Sequence, residues 1–256
     1  FKFIYYWEYG HRLLGQIIGL IFFVPLLLLI SLKMISRKLV PKLFVAFILG
    51  GLQGLLGWYM VKSGLVDMPR VSHFRLAAHL LLAMFLLAYL FWFLLDICQV
   101  EKESVSNQIR RWLVIVTVLF GVQVTYGAFV AGLRAGLGFN TFPLMNGSFM
   151  AEAATMMSPV WLNFTENGAM VQFIHRWVAV LLFFVSIAGF ITAKNNSPRL
   201  FAGWLVLLVV LAAQFGLGVA TLLFYVPISL ASIHQAVAVV VMLVIVYLLY
   251  ISKPIR

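Results

Sequence analysis

Residues 200–252 run for 53 positions without a formal charge. A helix needs about 20 apolar residues to cross the hydrocarbon core of a bilayer, so this run has room for two crossings. Pro227 lies at its middle, and because proline resists helix continuation the turn is expected at residues 224–227. Charge-free runs of spanning size also lie at residues 13–32, 43–61, 76–95 and 112–133. A fifth, at residues 177–193, is completed by the residues just before it. The expected fold class is therefore all-α: a polytopic membrane helix bundle with seven transmembrane helices. Composition closes the soluble alternative. Hydrophobic residues make up 64% of the chain and charged residues 10%, against roughly 45–50% and 25% in soluble domains. A soluble fold of this size could not hide so much apolar surface.

The 18 Lys and Arg residues are scattered in ones and twos between apolar runs, which is not the pattern of a nucleic-acid-binding stripe. Membrane lipid is the surrounding partner, and the charges are read as topology signals. Lys33, Arg37, Lys38, Lys42, Lys102, Arg110, Arg111, Lys194, Arg199, Lys253 and Arg256 fall on one side of the bundle. Lys2, Arg12, Lys62, Arg70, Arg75, Arg134 and Arg176 fall on the other, partly offset by Glu8, Asp67, Glu152 and Glu166. The richer side is expected to be cytoplasmic, or matrix in a mitochondrion. That places the N-terminus outside and the C-terminus inside. The connection at about residues 134–170 is the one long loop, expected on the outer side and ordered by turns rather than by a helix of its own. Cys98, the single cysteine, excludes an internal disulfide and is read as a core thiol.

The chain repeats itself. Gly10-His11-Arg12 and Ile174-His175-Arg176 stand at the start of equivalent helices. Gln53-x-x-x-Gly57 corresponds to Gln214-x-x-x-Gly218, and Ala77-Ala78-His79 to Ala231-Ser232-Ile233-His234. Two repeats are expected, at residues 1–111 and 112–256. The helix at residues 112–133 carries its own Gln123-x-x-x-Gly127 but has no counterpart before the first run. Since the chain opens on Phe1, an earlier helix and outer loop are expected to complete a 4+4 duplicated eight-helix bundle.

Four of the five histidines occupy equivalent repeat positions: His11, His79, His175 and His234. All four helices start from the outside, so the imidazoles are expected at similar depth, two per half. Ionisable residues inside a membrane are costly and functional by default. Paired imidazoles on facing helices can take both axial positions of a haem iron, and one pair per half makes two porphyrin sites. The competing reading, histidines at an interface or hydrogen-bonded in a core, suits a single residue better than four in register. His73 has no repeat partner and is read as an exposed loop residue. Arg12 and Arg176 each follow a ligand candidate, and Arg75 precedes His79 by four residues on the same helix face. Guanidinium pairing with haem propionates accounts for these arginines; snorkelling to lipid headgroups accounts for them too. Glu8 precedes His11 by three residues, where the second half has Gln172 before His175. A carboxylate there can exchange a proton; a first-turn Glu also suits the helix dipole.

These residues together resemble the haem A synthase family. The resemblance is carried by Glu8-Tyr9-Gly10-His11-Arg12, Arg75-Leu76-Ala77-Ala78-His79 and Ala131-Gly132-Leu133-Arg134-Ala135-Gly136. It continues through Asn140-Thr141-Phe142-Pro143-Leu144-Met145-Asn146-Gly147, Trp161, Glu166-Asn167, Gln172-Phe173-Ile174-His175-Arg176 and His234-Gln235. It implies an eight-helix oxidoreductase that oxidises the C8 methyl of haem O to a formyl group, giving haem A for cytochrome oxidase. It further implies haem b as cofactor on His175 and His234, haem O as substrate on His11 and His79, and Glu8 as the catalytic carboxylate. Haem O synthase and an electron donor are the implied partners, and a homo-oligomer is compatible with this reading. The cysteine pair of some bacterial members is absent, which places the chain with the proteobacterial and mitochondrial branch. A di-haem electron-transfer cytochrome b is the alternative, and it would stagger its haems across the bilayer. A repeat-built transporter would show broken helices, and Pro25 is the one central interruption.

Overall fold

The computed structural model describes residues 3–62, 71–194 and 196–254. The Glu8 side chain lies outside the described residues, as do Lys2, Asp67, Arg70, Arg256 and the side chain of Lys62.

Among the described residues, seven helices are long and apolar enough to span a membrane. They are α1 (Phe3–Ser31), α2 (Val40–Lys62), α3 (His73–Ile97), α4 (Asn107–Gly132), α6 (Gly168–Ala193), α7 (Pro198–Leu223) and α8 (Ile228–Ile251). The four-residue α5 (Asn163–Glu166) lies in the long loop. Each expected span is present, and the turn between α7 and α8 falls at residues 224–227 as proline chemistry requires. Pro25 sits inside α1 without ending it. Helix starts use side-chain caps: Ser106 Oγ accepts from the Ile109 amide, Ser197 Oγ from Leu200 with Pro198 just inside the helix, and the Asn167 side chain from Ala169.

The helices pack in sequential antiparallel pairs, α2 on α3, α4 on α6 and α7 on α8. Helix α3 also touches α4 and α8 and so joins the first part of the chain to the second, while α1 packs on α2. The largest core lies where α4, α6, α7 and α8 meet, around Leu113, Val116, Leu182, Trp204, Leu207 and Val241. Between apolar helices in lipid, association rests on close packing rather than on hydrophobic burial.

Polar contacts tie both ends. At the end opposite the long loop, Glu103–Val105 (β1) pairs in parallel with Ser252–Pro254 (β2), an element with no sequence signal. Lys42 and Asp96 form an ion pair at 2.7 Å, Ser197 bonds Glu103, and Arg199 donates to the Glu101 carbonyl at 3.1 Å. Cys98 caps α3 here and is exposed, which corrects its reading as a core thiol: the helix ends before the thiol can reach an apolar layer.

The long loop is built of 3₁₀ turns at Ala135–Leu137, Glu152–Thr155 and Val160–Leu162, plus α5, so turns are joined by one short helix. Asn163 is 1% exposed and its amide is bonded to the Met157 and Val160 carbonyls. Asn140 donates to the Gly136 and Leu222 carbonyls, both at 2.8 Å, pinning the loop to the end of α7.

Candidate functional site

Three of the four repeat histidines are held in one way. His79, His175 and His234 lie about two turns into α3, α6 and α8, each on the helix that follows or faces a Gln-x-x-x-Gly segment. Glutamine and glycine four residues apart share a helix face. On α2, α4 and α7 that face meets the imidazole: Gln53, Gln123 and Gln214 each place the amide nitrogen 3.3 Å from the Nε2 of His79, His175 and His234. Gly57, Gly127 and Gly218 lie against the Cε1 edge of the same rings. In each case the His Nδ1 and the Gln Oε1 are buried and have no hydrogen-bond partner. Sequence reading had the Gln-Gly pairs as repeat landmarks and missed this contact. Their spacing matched the helix period, but no local signal says which helix faces them.

His11 lies within electrostatic range of His79, and His175 within range of His234. His11 is exposed and lines a groove with Tyr6, Trp7, Gly10 and Leu14. Among the described residues, no three His, Cys, Asp or Glu side chains converge. A porphyrin iron brings four equatorial nitrogens and needs only two axial ligands from the protein. The donor set of paired neutral imidazoles fits that requirement.

The arginines divide. Arg75 stacks over the Tyr59 ring at 4.6 Å on the α2–α3 pair. Arg12 is exposed beside His11. Arg176 is buried and engaged with the long loop. It donates to the Phe139 carbonyl at 2.6 Å, to Thr141 at 2.7 Å, to Leu144 at 3.3 Å and to Pro143 at 3.5 Å. Any propionate at Arg176 has to compete with these carbonyls. Gln172, the counterpart of Glu8, is likewise buried and donates to the Phe139 carbonyl at 3.2 Å.

His73 is not an exposed loop residue. It is the first residue of α3, 8% exposed, packed edge-on to Phe129, with Nε2 3.7 Å from a Glu166 carboxylate oxygen. Local polarity suggested a loop; the fold instead seals the α3 start under α4 and α5.

Comparison with known proteins places this geometry in context. A family model described as cytochrome oxidase assembly protein, COX15-CtaA, matches residues 1–246. The haem A synthase of Parvibaculum lavamentivorans is 44% identical over 241 residues, 94% of this chain and 70% of that protein. That of Nitrosospira multiformis is 45% identical over 244 residues, covering 92% and 68%. That of Flavobacterium psychrophilum is 41% identical over 256 residues, covering 98% and 75%.

Proposed function

Because this chain belongs to the COX15-CtaA family of cytochrome oxidase assembly proteins, we infer that it is a haem A synthase. It is a multi-pass membrane oxidoreductase that converts haem O to haem A for cytochrome oxidase. The observation that carries the reading is that His11 lies within electrostatic range of His79, and His175 within range of His234.

In this reading His175 and His234 hold a resident haem b, and His11 and His79 hold the substrate haem. Bound haem b supplies one-electron transfer to and from the reacting site. The chain's own residues do the rest. Glu8, one turn before His11, takes up a proton released as the methyl group is oxidised. Its counterpart Gln172 cannot ionise, which suits a half that relays electrons only. Arg75 and Arg12 neutralise propionates at the first site. Arg176 and Gln172 brace the loop over the second. Residues 1–111 thus form the substrate half and residues 112–256 the haem b half, the two parts of a duplicated bundle. The recurring Gln–His contact in α2–α3 and α7–α8 supports that division.

The long-loop end is read as facing outward, with the C-terminus in the cytoplasm or matrix. An electron donor and a haem O synthase are its proposed partners. His79, His175 and His234 all lie near the helix ends that meet the loop, which does not suit the staggered haems of a transmembrane electron-transfer cytochrome. The test is the haem content of the purified protein, extracted and separated chromatographically. Haem A or its hydroxylated intermediate beside haem B is expected. Haem B alone, in cells that supply haem O, overturns the assignment.

A further inference from the structure

Helices α7 and α8 carry matching stripes at the end of the bundle opposite the long loop. Arg199, Ala202, Gly203 and Val206 are spaced to share one face of α7, and the stripe from Val240 to Tyr247 faces it on α8. The two helices are antiparallel neighbours, so Arg199 and Tyr247 meet at the polar end while Val206 and Val240 lie seven residues deeper. At 1.5 Å per residue that is a depth of about 10 Å. Ala202 and Gly203 have too little side chain to fill the space between the stripes, which leaves a groove of about 400 Å³. Apart from Arg199 and the Tyr247 hydroxyl its lining is apolar.

The mouth of the groove is polar and basic. Arg199 Nε donates to the Tyr247 hydroxyl at 2.7 Å and Nη1 to the Glu101 carbonyl at 3.1 Å. These bonds hold the guanidinium at the mouth and use two of its five N–H groups, while the Tyr247 hydroxyl, accepting from Arg199, keeps its own proton to donate. Glu101 and Glu103 lie within electrostatic range of Arg199, and Glu103 also accepts from Ser197. Lys102, Arg110, Arg111 and Lys253, at the same end of the bundle, outnumber those two carboxylates. A groove that is apolar for two helix turns and closes on a guanidinium has the chemistry of an amphiphile with an anionic head. Basic pockets between transmembrane helices take anionic phospholipid head groups, and guanidinium pairs with phosphate oxygens through charge-assisted hydrogen bonds.

We propose that this groove is a binding site for an anionic phospholipid. One acyl chain lies between α7 and α8, and the phosphate pairs with Arg199 and the Tyr247 hydroxyl. The site requires neither haem nor the assignment of the histidines. The experiment uses the intact protein purified from membranes, placed in nanodiscs of equimolar phosphatidylglycerol and phosphatidylcholine, and released for native mass spectrometry, which counts the lipids retained on each chain. The parental chain should retain phosphatidylglycerol over phosphatidylcholine. Arg199→Gln should cut that preference about 5-fold, the effect of one basic residue near an anionic lipid surface. Val206→Trp fills the groove without changing charge and should lower the amount of phosphatidylglycerol retained, and Tyr247→Phe should reduce the preference less than Arg199→Gln. Lys194→Gln removes an exposed cation at the same end that does not line the groove, and should match the parent. If Arg199→Gln fails to fold, Val206→Trp and Tyr247→Phe decide, and parental behaviour in both overturns the site. Equal retention of the two lipids by the parental chain, or an unchanged preference in a folded Arg199→Gln protein, overturns it as well. A fall in Lys194→Gln as large as in Arg199→Gln would make the attraction a diffuse property of that end rather than a site. A lipid-free dimer that Val206→Trp dissolves would show a second copy of the chain in the groove instead.

Discussion

Arg176 is the residue whose replacement the structure prices most directly. Its guanidinium gives two short hydrogen bonds, to Phe139 and Thr141, and two longer ones, to Leu144 and Pro143, from a position only 7% exposed. Hydrogen bonds to a charged group contribute about 1.5–3 kcal/mol each. Counting the two short bonds alone, Arg176→Met should cost the local closure of the loop roughly 3–6 kcal/mol. At 1.4 kcal/mol per factor of ten, that is about two to four decades in the opening equilibrium, and the lower end sets the expectation for exchange. Arg176→Lys keeps the charge but loses the planar fork that spans several carbonyls, so it should recover only part of the loss. The assay is hydrogen exchange across residues 139–150 in detergent or nanodiscs, with amides in the middle of α4 and α7 as an internal reference. Loop amides should exchange about 10²-fold faster in Arg176→Met, with the reference helices unchanged. Parental exchange across the loop would refute the clasp. Loss of protection everywhere would mean that Arg176 supports the bundle rather than the loop.

Other outcomes follow from the site. Glu8→Gln should fold, keep haem b and bind haem O, while haem A formation falls at least about 10²-fold, the low end for a positioned acid–base group; parental conversion would reduce Glu8 to a helix-end residue. His175→Ala or His234→Ala should abolish the six-coordinate low-spin haem b spectrum, and an unchanged spectrum in both would remove them from the ligand set. Reporter fusions after Lys38, Asn107, Asn195 and Arg256 should read cytoplasmic, and those near Ser63, Asn146 and Pro227 should read outside; an inside signal at Asn146 would reverse the proposed orientation.

The seven spans and the α7–α8 turn were legible in the chain because crossing a bilayer is a local requirement. A charge-free run either is or is not long enough, and Pro227 marks its break wherever the helix packs. The register of His11, His79, His175 and His234 was legible for a related reason: a duplicated pattern shows itself without any partner helix. What those residues face is set elsewhere in the chain. Gln53 meets a histidine 26 residues away and Gln123 one 52 residues away, and Arg176 reaches carbonyls up to 37 residues back. Their identities were visible, but not which neighbour would arrive. His73 and Cys98 were misread for that cause, one polar residue sealed beneath α4 and one thiol left bare at a helix end. The β1–β2 pairing joins segments with no strand signal at all, because two short backbones pair wherever the bundle brings their ends together. The sequence alone determined which segments enter the membrane, since that free energy is summed along each segment. Tertiary structure alone decided which side chains close on one another, since those contacts exist only once the helices have packed.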